Sequence, residues 1–152
     1  WEKKQMHRNK VYRKTFLLIM FAMKTQHKIL VCSTCASSWQ DGKRVGVSGG
    51  QKLLEELTQQ AQNWSHSSEF TIESVECMSA CSQACVIAFT ASGKFTYLFG
   101  NLDCDAGNLS ATSAVVLDCA SLYCQKLDGV MPWSERPEPL KRGIIARIPS
   151  CF

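Results

Sequence analysis

Blocks of apolar and polar residues alternate along the chain and predict a strand, a helix and a second strand in its first half. Residues 28–32 form an apolar run with β-branched members, which is typical of a strand. Residues 33–50 are polar and rich in glycine, so we expect a loop there. Apolar positions at helical spacing predict a helix over about residues 50–64, with Ser48 in the capping position. A second strand is expected over residues 70–77 and ends at a cysteine.

The second half of the chain predicts a β-hairpin, a second helix and an extended tail. Two apolar segments, residues 86–91 and 94–99, flank a Ser-Gly pair that suits a two-residue hairpin turn. A helix is expected over about residues 111–127, with Ser110 as its cap. Residues 132–149 contain all four prolines of the chain, and we expect them to run as an extended arm over the surface.

This order of elements predicts one α/β (α+β) domain over residues 28–150. A strand–helix–strand unit favours two parallel neighbouring strands, joined by a right-handed crossover. Residues 1–27 are a separate segment, basic at first and then apolar over residues 16–23, which is too short a run to span a bilayer. The segment lacks the small-x-small cleavage site of a signal peptide. We therefore predict an N-terminal extension that is disordered or lies upstream of a true start at Met23.

The positive net charge belongs to the N-terminal segment and not to the predicted domain. The chain has a formal charge of +4, but residues 1–28 hold eight Lys/Arg and one acid. The remaining residues hold nine Lys/Arg and twelve Asp/Glu. A nucleic-acid-binding domain needs basic residues concentrated on its folded surface. We therefore exclude nucleic acid as a partner of residues 29–152 and expect no membrane segment.

Nine cysteines in 152 residues carry the candidate chemistry. Their odd number argues against a complete set of disulfides, and we expect the reduced thiols of a cytoplasmic protein. Two groups stand at the predicted strand ends, namely the pair Cys32 and Cys35 and the series Cys77, Cys81 and Cys85. Parallel neighbouring strands end at the same edge of a sheet, where α/β proteins bind their ligands. These five cysteines are therefore the predicted metal ligands.

Several converging thiolates suit either zinc or an iron–sulfur cluster. The three-residue gaps of the second group and its small apolar neighbours favour the cluster, and zinc or cobalt is the alternative. A third hypothesis is a thioredoxin-type dithiol at Cys32 and Cys35, which requires a helix N-terminus beside the thiols. A long loop separates Cys35 from the first predicted helix, which argues against this hypothesis. We predict no catalytic residue, because no Ser/His/Asp arrangement stands out.

The remaining cysteines and the histidines are expected to have structural roles. Cys119 lies on an apolar helical face and is expected in the core. The cysteines without a partner at ligand spacing, expected to be structural or incidental, are Cys104, Cys124 and Cys151. The histidines, which do not cluster in the sequence and are expected at the solvated surface, are His7, His27 and His66.

Four motifs resemble a bacterial family of predicted metal-binding proteins, which is related to the thioredoxin-like two-iron ferredoxins. The motifs are LVCSTC (30–35), ECMSAC (76–81), KFTYLFG (94–100) and WSERPEPLKRG (133–143), within a resemblance that covers residues 28–150. The resemblance implies a thioredoxin-like fold, a [2Fe–2S] cluster and a homodimer. It carries ligand roles to Cys32, Cys77 and Cys81, and less directly to Cys35.

The leading hypothesis is a non-enzymatic electron-transfer or redox-sensing protein that holds a [2Fe–2S] cluster and binds an unidentified redox or metal-handling partner. Only two residues separate Cys32 from Cys35, fewer than in ferredoxins of this type, so zinc and cobalt stay open. The alternative is a zinc- or cobalt-binding accessory protein that stores or delivers metal, and the family's gene neighbours connect this role with cobalamin. A dithiol oxidoreductase is the third hypothesis.

Overall fold

The computed structural model of the chain describes residues 26–150, and its elements follow the predicted order with three additional strands and one additional short helix. The strands are β1 (His27–Cys32), β2 (Ser38–Gln40), β3 (Lys43–Val45), β4 (Phe70–Val75), β5 (Ile87–Ala91), β6 (Thr96–Phe99) and β7 (Ile144–Ile148). The helices are α1 (Gly49–Ala61), α2 (Leu109–Gln125) and α3 (Glu138–Arg142). The predicted extension over residues 1–27 lies outside the described residues except for its last two, and so do His7 and Cys151.

The main sheet has five strands in the order β4-β1-β5-β6-β7. Strand β1 is parallel to β4, with Cys32 opposite Val75, and antiparallel to β5. The predicted parallel pair is therefore confirmed, and β1 and β4 end at the same edge. A βαβ unit followed by a hairpin and a helix is the thioredoxin-like arrangement that the resemblance implied, and the α/β prediction is confirmed.

The core lies between the sheet and the two long helices. Alternate residues of β1 point into it, because successive side chains of a strand face opposite sides of a sheet. Helix α1 packs against α2 and against the parallel pair β1 and β4. The largest fully buried side chains are Tyr97, Tyr123, Phe89, Phe99, Ile29, Leu53, Leu57, Ile87, Met131, Leu140, Val31 and Val86.

The predicted loop over residues 33–50 contains a small exposed hairpin. Strands β2 and β3 pair antiparallel there, and Gly42 between them has a φ of +75°, which glycine adopts without strain. The loop then returns to the sheet at the first residue of α1. Ser48 caps this helix as predicted, since its Oγ accepts a hydrogen bond from the Gln51 N–H at 3.0 Å.

Three predicted boundaries differ from the structure. Strand β4 ends at Val75, so Cys77 lies in the loop and not on the strand. Ser110 lies inside α2, because the chain turns into the helix earlier than the apolar pattern indicates. Asn108 occupies the cap position, but its side chain donates to Asp103 and does not cap the helix. The proline-rich tail forms α3 and then β7, which pairs with β6 as an edge strand. The extended arm is therefore partly a member of the sheet.

Candidate metal centre

The thiol of Cys32 lies at the edge where β1 and β4 end. Its Sγ is 3.9 Å from the carbonyl oxygen of Glu76, the residue before Cys77. Main-chain hydrogen bonds from Met78 and Thr34 reach the same sulfur. Side chains hold the two segments together as well, because Thr34 Oγ1 donates to the Glu76 carbonyl at 2.6 Å. The two predicted cysteine groups therefore approach each other at one edge of the sheet.

The pair Cys32 and Cys35 lies directly against the N-terminus of α1. The N–H of Gly50 donates to the Cys35 carbonyl at 3.0 Å, and the N–H of Gly49 donates to the Ala36 carbonyl at 3.2 Å. The sequence argument that a long loop keeps Cys35 away from this helix is therefore wrong. The loop forms the β2–β3 hairpin and then returns to the cysteine pair. Residues that are far apart in the sequence are therefore neighbours in the fold.

The two thiols of this pair have opposite electrostatic environments. Burial acts to raise the pKa of Cys32, but hydrogen bonds from the Cys35 thiol and from the main chain outweigh it and lower that pKa overall. Burial and the hydrogen bond given to Cys32 raise the pKa of Cys35 to about 12. Cys32 is thus the more acidic thiol, and Cys35 is the group that holds a proton.

Cys85 is buried and pairs with Cys104, which the sequence did not indicate. Interaction with the Cys104 thiol, together with burial, raises the pKa of Cys85. A Cβ placed on Gly49 would lie 3.0 Å from Cys85 Sγ, so this thiol also contacts the start of α1. Both sulfurs line a cavity of about 430 Å³. Cys104 has no ligand spacing to another cysteine, so only the fold reveals this contact.

Cys77 and Cys81 are exposed on the loop that follows β4. The N–H of Ser79 donates to Cys77 Sγ at 3.3 Å. Within residues 26–150, no three of the five predicted cysteines bring their sulfurs within 4.8 Å of one another. Cys32 lies beside Cys35, and Cys85 lies beside Cys104. The assignment of all five as ligands stays a prediction.

The expectations for the other cysteines and the histidines are partly wrong. Cys119 is fully buried as expected. His27, by contrast, is only 4 % exposed, because it shares the inward face of β1 with Ile29 and Val31. The alternation along the strand was a sequence signal for this burial. His66 and Cys124 were expected to be separate but lie beside each other, together with Glu69. This contact joins distant segments of the chain, and no sequence pattern predicts it.

Comparisons with known proteins complete the description. Among the described residues, no helix is long and apolar enough to cross a membrane. A search of curated proteins finds no match. Two solved structures of a thioredoxin-like [2Fe–2S] ferredoxin from Aquifex aeolicus are similar to the chain. One has 14 % identity and a TM-score of 0.48, over 84 % of this chain and 98 % of that chain. The other, of the wild type, has 13 % identity and a TM-score of 0.46, over 80 % and 97 %.

The sequence comparison gives a match over most of the chain. The model of the family described as "Protein of unknown function (DUF1636)" matches residues 29–150, which include the whole sheet except the first two residues of β1. The chain belongs to this family.

Proposed function

We propose that the protein holds a [2Fe–2S] cluster on Cys32, Cys35, Cys77 and Cys81 and serves in electron transfer or redox sensing. The observation that carries this proposal is the approach of the two cysteine groups at one edge of the sheet, where Cys32 Sγ lies 3.9 Å from the carbonyl oxygen of Glu76, the residue before Cys77. A four-thiolate zinc site needs all its sulfurs around one ion, about 3.8 Å apart for a Zn–S bond of about 2.3 Å. A two-iron cluster held by four thiolates instead spreads its ligands over two metal atoms.

The donor set fits such a group in its chemistry. Cys32 and Cys35 are hydrogen-bonded to each other and supply one pair, while Cys77 and Cys81 stand on the adjoining loop. Main-chain N–H groups already point at sulfur, from Met78 to Cys32 and from Ser79 to Cys77. Such bonds favour the thiolate form and tune the potential of an iron–sulfur centre.

The surroundings of the four thiols support electron transfer. Cys32 and Cys35 are buried, whereas Cys77 and Cys81 are exposed at the rim of the sheet. A bound cluster would accept and donate single electrons at this exposed side, where a redox partner has access. Cys85 is a buried fifth thiol that already has Cys104 as its partner. Reduced thiols in this number suit a reducing compartment, so we place the protein in the cytoplasm.

The test is anaerobic purification followed by a visible spectrum and by counts of iron, zinc, cobalt and acid-labile sulfide. We expect a coloured protein with two iron and two sulfide per chain, as a [2Fe–2S] centre requires. Cys32→Ser and Cys77→Ser should lose the colour. Cys124→Ser is the matched control, because that thiol lies at the other end of the sheet, and it should keep the spectrum.

Other results would contradict the proposal in different ways. A colourless protein with one zinc or cobalt per chain, lost in the same two variants, would favour the metal-accessory hypothesis. A colourless protein without metal would contradict both metal hypotheses and would favour a reaction of the thiols themselves.

A dithiol oxidoreductase is a second candidate, because α1 starts beside Cys35 and the pKa values of the pair are split. In that case Cys32 and Cys35 would form a disulfide while a substrate disulfide takes up two electrons and two protons. A disulfide-reduction assay with a dithiol reductant tests this reaction. Activity should be lost in Cys35→Ser and kept in Cys81→Ser; activity lost in neither variant excludes the pair as its source.

A further inference from the structure

A second group of ligand-type side chains lies at the far end of the sheet from the cysteine-rich edge. The ligand atoms of His66, Glu69 and Cys124 all lie within 4.8 Å of one another. Glu69 directly precedes β4, and Cys124 is in the last turn of α2. Strand β1 separates this end from Cys32 by about 16 Å, at about 3.3 Å per residue. The group is therefore independent of the candidate centre described above.

Hydrogen bonds join the three side chains of this group through the two oxygens of the Glu69 carboxylate, at distances close to those between the ligands of one metal ion. Cys124 Sγ lies 3.1 Å from Glu69 Oε2, and His66 Nδ1 lies 3.4 Å from Glu69 Oε1. Around tetrahedral zinc, with bonds of about 2.0–2.3 Å, neighbouring ligand atoms lie about 3.3–3.5 Å apart. A metal ion at this point would replace these two hydrogen bonds, with the Glu69 carboxylate between the histidine and the cysteine.

The structure holds these side chains in place from two sides. The indole ring of Trp64 packs edge-on against His66, with ring centroids 5.6 Å apart. The indole N–H of Trp64 donates to Ser121 Oγ at 3.0 Å, so the ring is fixed to the same helix that carries Cys124. Glu69 is placed by its own 3₁₀ turn, Ser67–Glu69. The three donors are thus preorganised by packing, as a metal site requires.

Lys94 and His27 lie on the inner side of the group. Lys94 Nζ donates to the carbonyl oxygens of Tyr123 and Cys124, at 3.2 and 2.9 Å, and so places a buried cation beside the thiol. His27 lies behind it, with Nδ1 3.9 Å from Cys124 Sγ.

Solvent reaches the group, so an ion has access. The side chains of His66 and Glu69 are 23 % and 30 % exposed. We propose that His66, Glu69 and Cys124 form a second metal site that binds a zinc-type divalent cation through one nitrogen, one oxygen and one sulfur. Mixed ligands of this kind are typical of zinc, and three protein ligands leave a fourth position for water. Binding replaces the thiol proton of Cys124, which is released to solvent.

The bound ion would clamp the start of β4 to the last turn of α2, two segments that lie 55 residues apart along the chain. Because the ion binds the folded chain and not the unfolded one, it should raise the unfolding temperature. This effect is a stabilising role, separate from electron transfer, and it does not depend on whether the cysteine-rich edge holds iron.

The test is a titration of the purified, reduced protein with Co²⁺, which reports thiolate ligation through a charge-transfer band in the near ultraviolet. We expect one equivalent to produce the band and to quench Trp64 fluorescence. Cys124→Ser should abolish the band, and His66→Asn should weaken binding by more than about tenfold, a loss that even outer-shell changes cause at metal sites. Cys32→Ser should leave this equivalent unchanged.

Matched control variants distinguish Co²⁺ binding at this site from general effects of substitution on the protein. Glu69→Gln should weaken Co²⁺ binding, whereas Glu73→Gln, an exposed carboxylate on β4 that pairs with Lys28, should not. Trp64→Phe should remove the quenching while keeping the absorption band. His66 lies in a surface turn, so its variant keeps the test valid if Cys124→Ser fails to fold. Absence of the band in the folded parent protein, or a band unchanged in both Cys124→Ser and His66→Asn, overturns the proposal.

Discussion

Gly50 is the residue at which helix α1 comes closest to the cysteine pair. A Cβ at this position would overlap the carbonyl oxygen of Cys32 and would also crowd the Ser33 carbonyl carbon at 3.2 Å. The Gly50 N–H also donates a hydrogen bond to the Cys35 carbonyl oxygen at 3.0 Å. Only glycine allows two backbone segments to approach this closely without displacing one of them.

We expect Gly50→Ala to lower the free energy of unfolding by about 2 kcal/mol or more, because both neighbouring atoms are backbone and cannot rotate away. Urea denaturation followed by circular dichroism measures this loss. Gly107→Ala is the control, since nothing lies within 4 Å of a Cβ there, and its stability should stay within about 0.5 kcal/mol of the parent. Equal stabilities of the two variants would show that α1 is not held at the pair.

The environment of some single residues can be predicted from the sequence, and that of others cannot. The inward position of His27 follows from its spacing to Ile29 and Val31, since a strand alternates its faces. The contact between Cys85 and Cys104, and that between Glu69 and Cys124, join segments that have no common pattern. Such contacts arise only when the sheet and helices are packed, so no local signal predicts them.

At the scale of elements, the start of α1 depends on one side chain. Ser48 Oγ accepts from the Gln51 N–H at 3.0 Å, and its hydroxyl donates to the carbonyl of Ser33. Ser48 therefore caps the helix and ties it to the segment after β1. The second predicted cap, Ser110, has no such role because it lies within α2.

We expect Ser48→Ala to cost about 1–2 kcal/mol of unfolding free energy, the usual loss for a helix cap. Ser110→Ala removes only an exposed hydrogen bond that Gln60 Nε2 donates to Ser110 Oγ at 3.1 Å, so it should change stability by less than about 0.5 kcal/mol. Thermal unfolding of the two variants beside the parent protein gives the comparison. A larger loss in Ser110→Ala than in Ser48→Ala would contradict the observed helix boundaries.

Elements were predictable where the local pattern agrees with the packing. Both β1 and β4, the hairpin of β5 and β6, and the two long helices carry clear periodicity or turn residues, such as Gly93 with its φ of +73°. Strand β7 was not recognised as a sheet member, because an edge strand with exposed residues reads like any extended tail. The β2–β3 hairpin, wholly exposed, lacks the apolar alternation that marks a strand.

At the scale of the whole molecule, the boundary of the domain can be tested at His27. The predicted boundary at residue 28 leaves this residue out, but its ring stacks on Phe70 at 4.9 Å and packs edge-on against Tyr123 at 5.9 Å. His27 also opens the pairing of β1 with β4, opposite Phe70. The sheet therefore begins one residue earlier than the apolar run indicates.

The test compares the full protein with two shortened chains, each preceded by an initiating methionine, that begin at Gln26 and at Lys28 and end at Ser150. A chain that begins at Lys28 should lose about 2 kcal/mol, because it lacks a buried aromatic-type ring and its stacking partners. Urea midpoints of the three proteins decide the matter. If the two shortened chains have the same urea midpoint, His27 contributes nothing to the free energy of unfolding, and the argument for its place in the domain is wrong.

The central place of β1 in the sheet affects the order of events during synthesis. This strand leaves the ribosome first, yet its neighbours β4 and β5 are encoded about 40 and 55 residues later. Until both have emerged, the nascent chain carries Cys32 and Cys35 without the cover of the finished sheet. Any group that binds at that edge of the sheet must therefore wait until β4 and β5 have emerged, and oxidants that reach the ribosome would meet the first two thiols unprotected.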